Sequence, residues 1–423
     1  MNALLSNSSR PCFVSTFLSH SSTDKTLVEA VAKRLGRRGV LAWYDNNELQ
    51  EMGSLIDVLK QAVQQQITVT LFLSEASLNS EWCKDELRWA LALKEGDEHI
   101  LPVYLGNPLE LVKAHDLLKK RFLHPDGDRV DRLGAACQQN PNKPNPDAIA
   151  EKIAATAYKL SIPKTWSDLV IFLDQRGTGS RRGEPDLPDN IVRLDAPILT
   201  FRPSLEPRQK VELLTGADWE DMVKTITISL SNIPGNIRGD IRKVRVLGGA
   251  QTGLMWAIGK HFDRTNNVEL YGYGRKGEVI TNKDQEVLKP LSGGDPNCAQ
   301  LVPGKANNLG DTQTEVALYV GIEDYLQDVQ QAVPHLTLFW IKTDKIESSE
   351  QAMQLVSDTV ASIKRLYQDH GVRELVLFWG TANHVALLTA ANLTSQHAFP
   401  KIKYMERNHA RSEYVQLPMP DIF

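Results

Sequence analysis

The chain has 423 residues, 42% hydrophobic and 24% charged, enough for two or three domains and too rich in core formers to be disordered, collagenous or low in complexity as a whole. A formal net charge of -4 supplies no overall basic field for wrapping duplex nucleic acid, although a local basic groove can still hold a small anion. No apolar run reaches the roughly 18–20 residues of a membrane helix, MNALLSNSSR lacks the features of an export signal, and Cys12, Cys83, Cys137 and Cys298 have no metal-ligand spacing, so a cytoplasmic protein with free thiols and no bound metal is expected.

Phe13 to Leu18 reads as a short buried strand, and the polar cluster after it offers Ser21, Ser22 and Thr23 as helix caps. Leu27, Val28, Val31 and Leu35 recur at helical spacing until Gly39, where Val40 to Trp43 begins another strand. The alternation continues through a loop from Asp45 to Gly53, a helix bearing Ile56, Leu59 and Val63, the strand Ile67 to Leu73, a helix from about Ser80 to Lys94, and the strand Ile100 to Leu105. Strands separated by helices predict a parallel sheet covered on both faces, in a flavodoxin-like α/β arrangement. Ligands collect at the carboxyl ends of such strands, which places Ser19, Asp45 and Ser74 along one rim.

The helix after the third strand carries SEWCKDELRWA, in which Trp82 and Glu86 are four residues apart and share a face. Glu86 can then reach a ligand over Ser19 and Asp45. The plainer reading is a surface glutamate favoured by the helix dipole and a tryptophan buried in the core. His20 beside Ser19 invites a nucleophilic pair, but adjacent residues rarely face each other and no orienting acid is evident.

Three stretches, FLSHSSTDK (Phe17 to Lys25), WYDNNEL (Trp43 to Leu49) and NSEWCKDEL (Asn79 to Leu87), resemble the three boxes of a Toll/interleukin receptor, or TIR, domain over about residues 12–135. Some members of that family only assemble, whereas others cleave NAD at the nicotinamide glycosidic bond with the glutamate of the third box. The resemblance makes Glu86 that glutamate, draws Phe17 and Ser19 into the site, and gives Asp45 and its loop a neighbouring TIR domain to face. Nicotinamide leaves as a neutral molecule while the ribose gains oxocarbenium character, so an ionised carboxylate suits the reaction either electrostatically or as a nucleophile. Trp43, Tyr44 or Trp82 can stack on a base, or each can be core.

CQQNPNKPNPDA, from Cys137, reads as a loop or linker, and Ile149 to Leu160 as a final helix of the first domain, which is taken to end near residue 160. A glycine- and proline-rich loop, Gln175 to Asn190, lacks the Lys-Ser/Thr and helix of a phosphate-binding loop. From residue 166 to 423 the chain repeats itself. KVRVLGGAQTGLMWAIGKHF and ELVLFWGTANHVALLTAANL both read as strand, glycine turn and helix, with Gly249 and Gly380 offset by 131 residues. The next strands bring Arg275 opposite Arg407 within one position, and helices around Trp219 to Ser229 and Gln351 to Asp369 precede each unit.

Glycine turns before helix N-termini suit an anion, and Gln251, Thr252, Thr381, Asn383 and His384 add groups able to read base edges. Such glycines are also common in any α/β fold, and His384 can simply cap its helix. With LYVGIEDY (Leu318 to Tyr325) after a strand, these features resemble a SAVED domain, two fused CARF-like halves at about 166–310 and 311–423. The resemblance implies a cyclic oligonucleotide activator, typically cyclic triadenylate, held by Gly249, Gln251, Thr252, Gly321, Gly380, Thr381, Asn383, His384 and Arg407, with Tyr271 and Lys305 nearby. Together the halves imply an antiphage effector of the CBASS type that hydrolyses NAD after the messenger drives head-to-tail oligomers or filaments. The alternatives are a non-catalytic TIR scaffold and an NADase carrying a nucleotide pocket without signalling.

Overall fold

The structure, a computed structural model, describes residues 11–44, 55–93, 97–130, 137–140, 143–162, 167–174, 187–194, 196–202, 215–233, 243–262, 268–274, 279–281, 300–301, 314–393, 401–408 and 413–419. The chain packs as two compact units, Met1–Pro207 with Asn232–Asn236, and Arg208–Ser231 with Ile237–Phe423.

The first unit runs β1 (Cys12–Phe13), β2 (Ser15–Ser19), α1 (Lys25–Arg37), β3 (Leu41–Trp43), α2 (Leu55–Gln65), β4 (Thr68–Leu73), α3 (Glu75–Asn79), α4 (Glu81–Leu93) and β5 (Ile100–Tyr104). It continues with α5 (Pro108–Lys113), α6 (Asp116–Phe122), β6 (Cys137–Gln138), α7 (Pro146–Ser161), β7 (Asp168–Asp174), α8 (Asp189–Val192) and β8 (Pro197–Phe201). Five of these strands form an all-parallel sheet in the order β3-β2-β4-β5-β6. This is the flavodoxin-like order expected from the alternation, and its switch point lies between β2 and β4, where a crevice opens at the carboxyl ends. Phe17, Val69, Leu71, Leu73, Leu87 and Phe122 are among the side chains buried around it.

Two details depart from the sequence reading. The single strand expected at Phe13 to Leu18 is two strands: β1 pairs with β8, and β2 joins the five-stranded sheet. Val14 between them donates its N–H to Ile198 O and accepts from the Leu41 amide, so the break leaves neither group of Val14 unsatisfied. The linker expected from Cys137 instead opens with β6, a strand of two residues, too short for any periodicity to announce. The final helix does form. Asn145 accepts from the Asp147 and Ala148 amides, Pro146 starts α7, and Asp147 pairs with Arg34 of α1 at 2.8 Å.

The second unit runs α9 (Gly216–Ser231), β9 (Lys243–Gly249), α10 (Thr252–His261), β10 (Glu269–Tyr273), β11 (Val279–Thr281), β12 (Gln300–Leu301), β13 (Glu315–Gly321) and α11 (Leu326–Ala332). It ends with β14 (Leu338–Lys342), α12 (Ser349–Gln368), β15 (Glu374–Gly380), α13 (Asn383–Asn392), β16 (Lys401–Asn408) and β17 (Glu413–Leu417). The duplication in the sequence is realised in three dimensions. The series α9, β9, α10, β10, β11 repeats as α12, β15, α13, β16, β17, and in each copy a parallel pair is followed by an antiparallel one.

Helices α10 and α13 pack side by side in the same direction. At their starts Thr252 Oγ1 donates to Asn383 Oδ1 at 3.0 Å, and at their ends Lys260 Nζ donates to Leu393 O at 2.5 Å. His384 through Asn392 are all buried, as are Gly253 through Gly259, so both helices are apolar nearly all round. Gly259 makes this closeness possible, because a Cβ there would overlap the Leu387 carbonyl, a backbone atom with nowhere to move. Gly259→Ala is therefore expected to cost about 3 kcal/mol, at the severe end for overpacking, measured as a lower urea midpoint. An unchanged midpoint would mean that the two helices do not pack this closely.

Candidate active site and ligand cleft

At the switch point of the first unit, the Ser19 hydroxyl at the end of β2 donates to Glu86 Oε2 on α4 at 2.5 Å. Both groups are buried, with Glu86 8% exposed. The bond fixes the orientation of the carboxylate, and its charge makes the bond stronger than one between neutral groups. Phe17, two residues before Ser19 and on the same face of β2, is buried beneath the Trp43 ring, the centroids 5.0 Å apart and the planes at 18°. Trp43 thus spends one face on the core. Trp82 does not: one turn before Glu86, it is 49% exposed, so the core reading of this residue gives way to a surface aromatic. Asp45 and the loop through Gly53 lie outside the described residues.

His20 forms no pair with Ser19, whose hydroxyl is directed to Glu86. The ring Nδ1–H donates to Leu18 O at 3.0 Å, which fixes the tautomer, and the ring meets Tyr44 edge-on at 6.3 Å. Ser74 sits on the rim as expected, capping α3 in a reciprocal box with Ser77. It also donates to Asp24 Oδ2 at 2.7 Å, and Ser21 donates to the same oxygen at 2.6 Å. Asp24, which the sequence reading passed over, therefore clamps the segment after β2 to the segment after β4. Cys83 lies in the depression beside Ser19, with Ser77, Lys84 and His115. Burial pushes its thiol up to about 11, which disqualifies it as a nucleophile near neutrality.

In the second unit, the hydrogen-bonded Thr252 and Asn383 are 131 residues apart, the offset of the repeat itself, so equivalent helix starts meet. Asn383 Nδ2 also donates to Ala250 O at 2.8 Å. Gln251 stands buried at the N-cap of α10, His384 is buried in the first turn of α13, and Thr381 is half-buried after β15. Gly249 ends β9, following Gly248 at φ 108. Gly321 and Gly380 are partners across β13 and β15, and a Cβ on either would collide with the Tyr319 hydroxyl, which donates to Ile322 O at 2.7 Å. Their lack of side chains makes room for a buried tyrosine.

Arg407 lies apart from this cluster. Its guanidinium stacks 4.2 Å from the Tyr325 ring centroid and donates to Asp328 Oδ2 at 2.6 Å, toward α11. Strand alternation puts its neighbour on the opposite face. That neighbour, Glu406, is the residue the sequence reading missed. Its Oε1 accepts from the Thr252 amide at 3.1 Å and its Oε2 from the Gly253 amide at 2.8 Å. Tyr271 donates to Glu269 and stacks under Arg245, while Lys305 and Arg275 lie outside the described residues.

Residues 16–133 match the family model for the TIR domain. This stretch is a TIR domain. No curated protein matches the chain. Similar solved structures include the Acinetobacter baumannii Cap4 SAVED/CARF-domain containing receptor with the cyclic trinucleotide 3'3'3'-cAAA, at 14% identity and TM-score 0.41, covering 86% of this chain and 84% of that one. The same receptor with 2'3'3'-cAAA is 13% identical with TM-score 0.42, covering 87% and 86%. The Moraxella osloensis Cap4 SAVED/CARF-domain containing receptor is 12% identical with TM-score 0.40, covering 86% and 83%. The TIR match ends just before β6, which completes the TIR sheet, and among the described residues no helix is long and apolar enough to cross a membrane.

Burial pushes the Glu406 carboxyl up to about 7 from its ordinary 4.5, against the downward pull of the Gly253 and Thr252 amides. A raised value means that the fold prefers the protonated acid. The stability it contributes is complete below about 4.5 and lost as pH rises through about 7. Glu406→Gln cannot ionise, so its melting temperature relative to wild type should climb across that window. A constant gap in parallel thermal melts would contradict the assignment.

Proposed function

We propose that the TIR domain hydrolyses NAD at the nicotinamide glycosidic bond and that the second unit is a SAVED-type sensor whose cyclic oligonucleotide switches the enzyme on. The observation that carries the reading is the buried Glu86 carboxylate, oriented by Ser19 at the switch point of a parallel sheet, with an exposed Trp82 one turn away. As the bond between ribose C1′ and the pyridinium nitrogen breaks, its electron pair leaves with neutral nicotinamide, and positive charge develops on the ribose. Glu86 stabilises that charge or traps C1′, and water supplies the oxygen that completes ADP-ribose, releasing one proton. Trp82 offers a stacking face for the base or the nicotinamide ring.

The sensor reading is supported by the duplicated units, whose equivalent helix starts adjoin and present backbone amides, Thr252 and Asn383 to one region. A ring of repeated nucleotides meets a repeated set of groups there, and its phosphates suit helix N-termini. Cyclic triadenylate is the ligand the family resemblance favours. Head-to-tail contacts between ligand-bound sensors build an open filament, which raises the local concentration of TIR domains so that a neighbour's loop after Asp45 completes the site. Reaction and assembly both belong to the cytoplasm in this reading.

The test is nicotinamide release from NAD by the purified full chain, with a panel of cyclic di-, tri- and tetranucleotides, alongside light scattering. One member of the panel is expected to trigger both turnover and growth in particle size. Glu86→Gln should lower turnover by about 10²–10³ while ligand binding and assembly persist, and Ser19→Ala should lower it by about tenfold through looser positioning. Full activity in Glu86→Gln would turn the protein into a scaffold. Activation without any change in particle size would remove assembly from the mechanism.

A further inference from the structure

The start of α10 already holds a carboxyl group. Both oxygens of the half-buried Glu406 carboxylate are taken by consecutive amides, Thr252 at 3.1 Å and Gly253 at 2.8 Å, as a helix start takes a phosphate. The start of α13 has Ala382 at its N-cap, a residue with no side-chain acceptor. The two copies also differ at this point: Lys243 pairs with Glu269 and Glu374 with Lys401, so β10 and β16 correspond at an offset of 132 residues and the counterpart of Glu406 is Gly274, which has no side chain. One of the two equivalent helix starts thus carries an acid that the other lacks.

Glu406 also has somewhere to go. Tyr404, two residues earlier on the same face of β16, is completely buried, and its hydroxyl has no hydrogen-bond partner among the described residues. Its ring packs 5.6 Å from that of Trp256 in α10. An unpaired buried hydroxyl carries a desolvation cost that a carboxylate turned toward it would remove. The strand therefore carries an unpaired phenol on the same face as the acid.

We propose that Glu406 is an internal competitor for the ligand: it fills the α10 amides in the resting sensor, and a phosphate of the cyclic oligonucleotide takes them over as the carboxylate passes to Tyr404. This rests on the reading of the cleft as an oligonucleotide sensor and adds its regulation. The competitor sets a threshold, since messenger binding must first displace a contact of the same chemistry at far higher effective concentration. Glutamine holds amides less strongly than a carboxylate and does not repel the incoming phosphate.

Titration of the full chain with cyclic triadenylate, followed by calorimetry, tests this. Glu406→Gln is expected to bind about tenfold more tightly than wild type, and Tyr404→Phe, which removes only the phenol oxygen, several-fold more weakly. In the double variant the Tyr404 effect should vanish, because the group it serves is no longer charged. Equal or weaker binding by Glu406→Gln overturns the proposal and leaves the sensor reading standing. No binding by any of the proteins across the cyclic nucleotide panel overturns both. Should Glu406→Gln not fold, the ligand-bound wild-type structure decides: the carboxylate lies off the Thr252 and Gly253 amides if the proposal holds, and still on them if it does not.

Discussion

One hydrogen bond, from Ser19 to Glu86, organises the switch point of the first unit, and the fold around it makes that bond unavoidable. Ser19 is the last residue of β2, and the sheet order makes β2 and β4 the strands from which the chain departs in opposite directions. Helix α4 returns over that crevice carrying Glu86 on the face that meets the strand end. A buried carboxylate is costly unless its acceptors are used. Ser19 meets part of that cost and fixes where the negative charge sits, so the group that stabilises the fold locally is the same one that aims the acid.

Asp24 extends this logic outward. By accepting from both Ser21 and Ser74 it ties the loops leaving the two switch-point strands to a single carboxylate. The rim is therefore braced by hydrogen bonds from both loops to one carboxylate. Trp43 and Trp82 divide the possibilities between them: one is anchored on Phe17, and the other stands in solvent one turn before the acid.

The sequence carried the sheet and the repeat, and put Glu86 on the same rim as Ser19 without pairing the two, because each is written in a periodicity or a motif. Helical spacing delimited α1 and α4, and glycine turns at a constant offset exposed the duplication. What escaped was whatever depends on the register of short segments. β6 has two residues and no pattern to read. The Cys12–Ser19 stretch looks continuous, yet Val14 divides it between two sheets. Glu406 and Arg407 are adjacent letters on opposite faces of β16, and chemistry alone favoured the arginine for an anionic ligand. Only the pleat places the glutamate on α10 and the arginine on Asp328. Likewise the exposure of Trp82 follows from which helix face meets the sheet, a property of the packed domain rather than of the motif.

The duplicated unit shows how a repeat acquires direction. Two equal halves give two equal helix starts, and the Thr252–Asn383 bond joins them at equivalent positions. Equality would give the unit two identical helix starts. Glu406 on one side and Gly274 at the corresponding strand position on the other remove that equality while leaving the fold of each half intact. Burial disfavours the ionised form of this half-buried acid while two backbone amides favour it. In the sensor proposed above, the side chain that closes the helix start would set how strongly an incoming anion must bind.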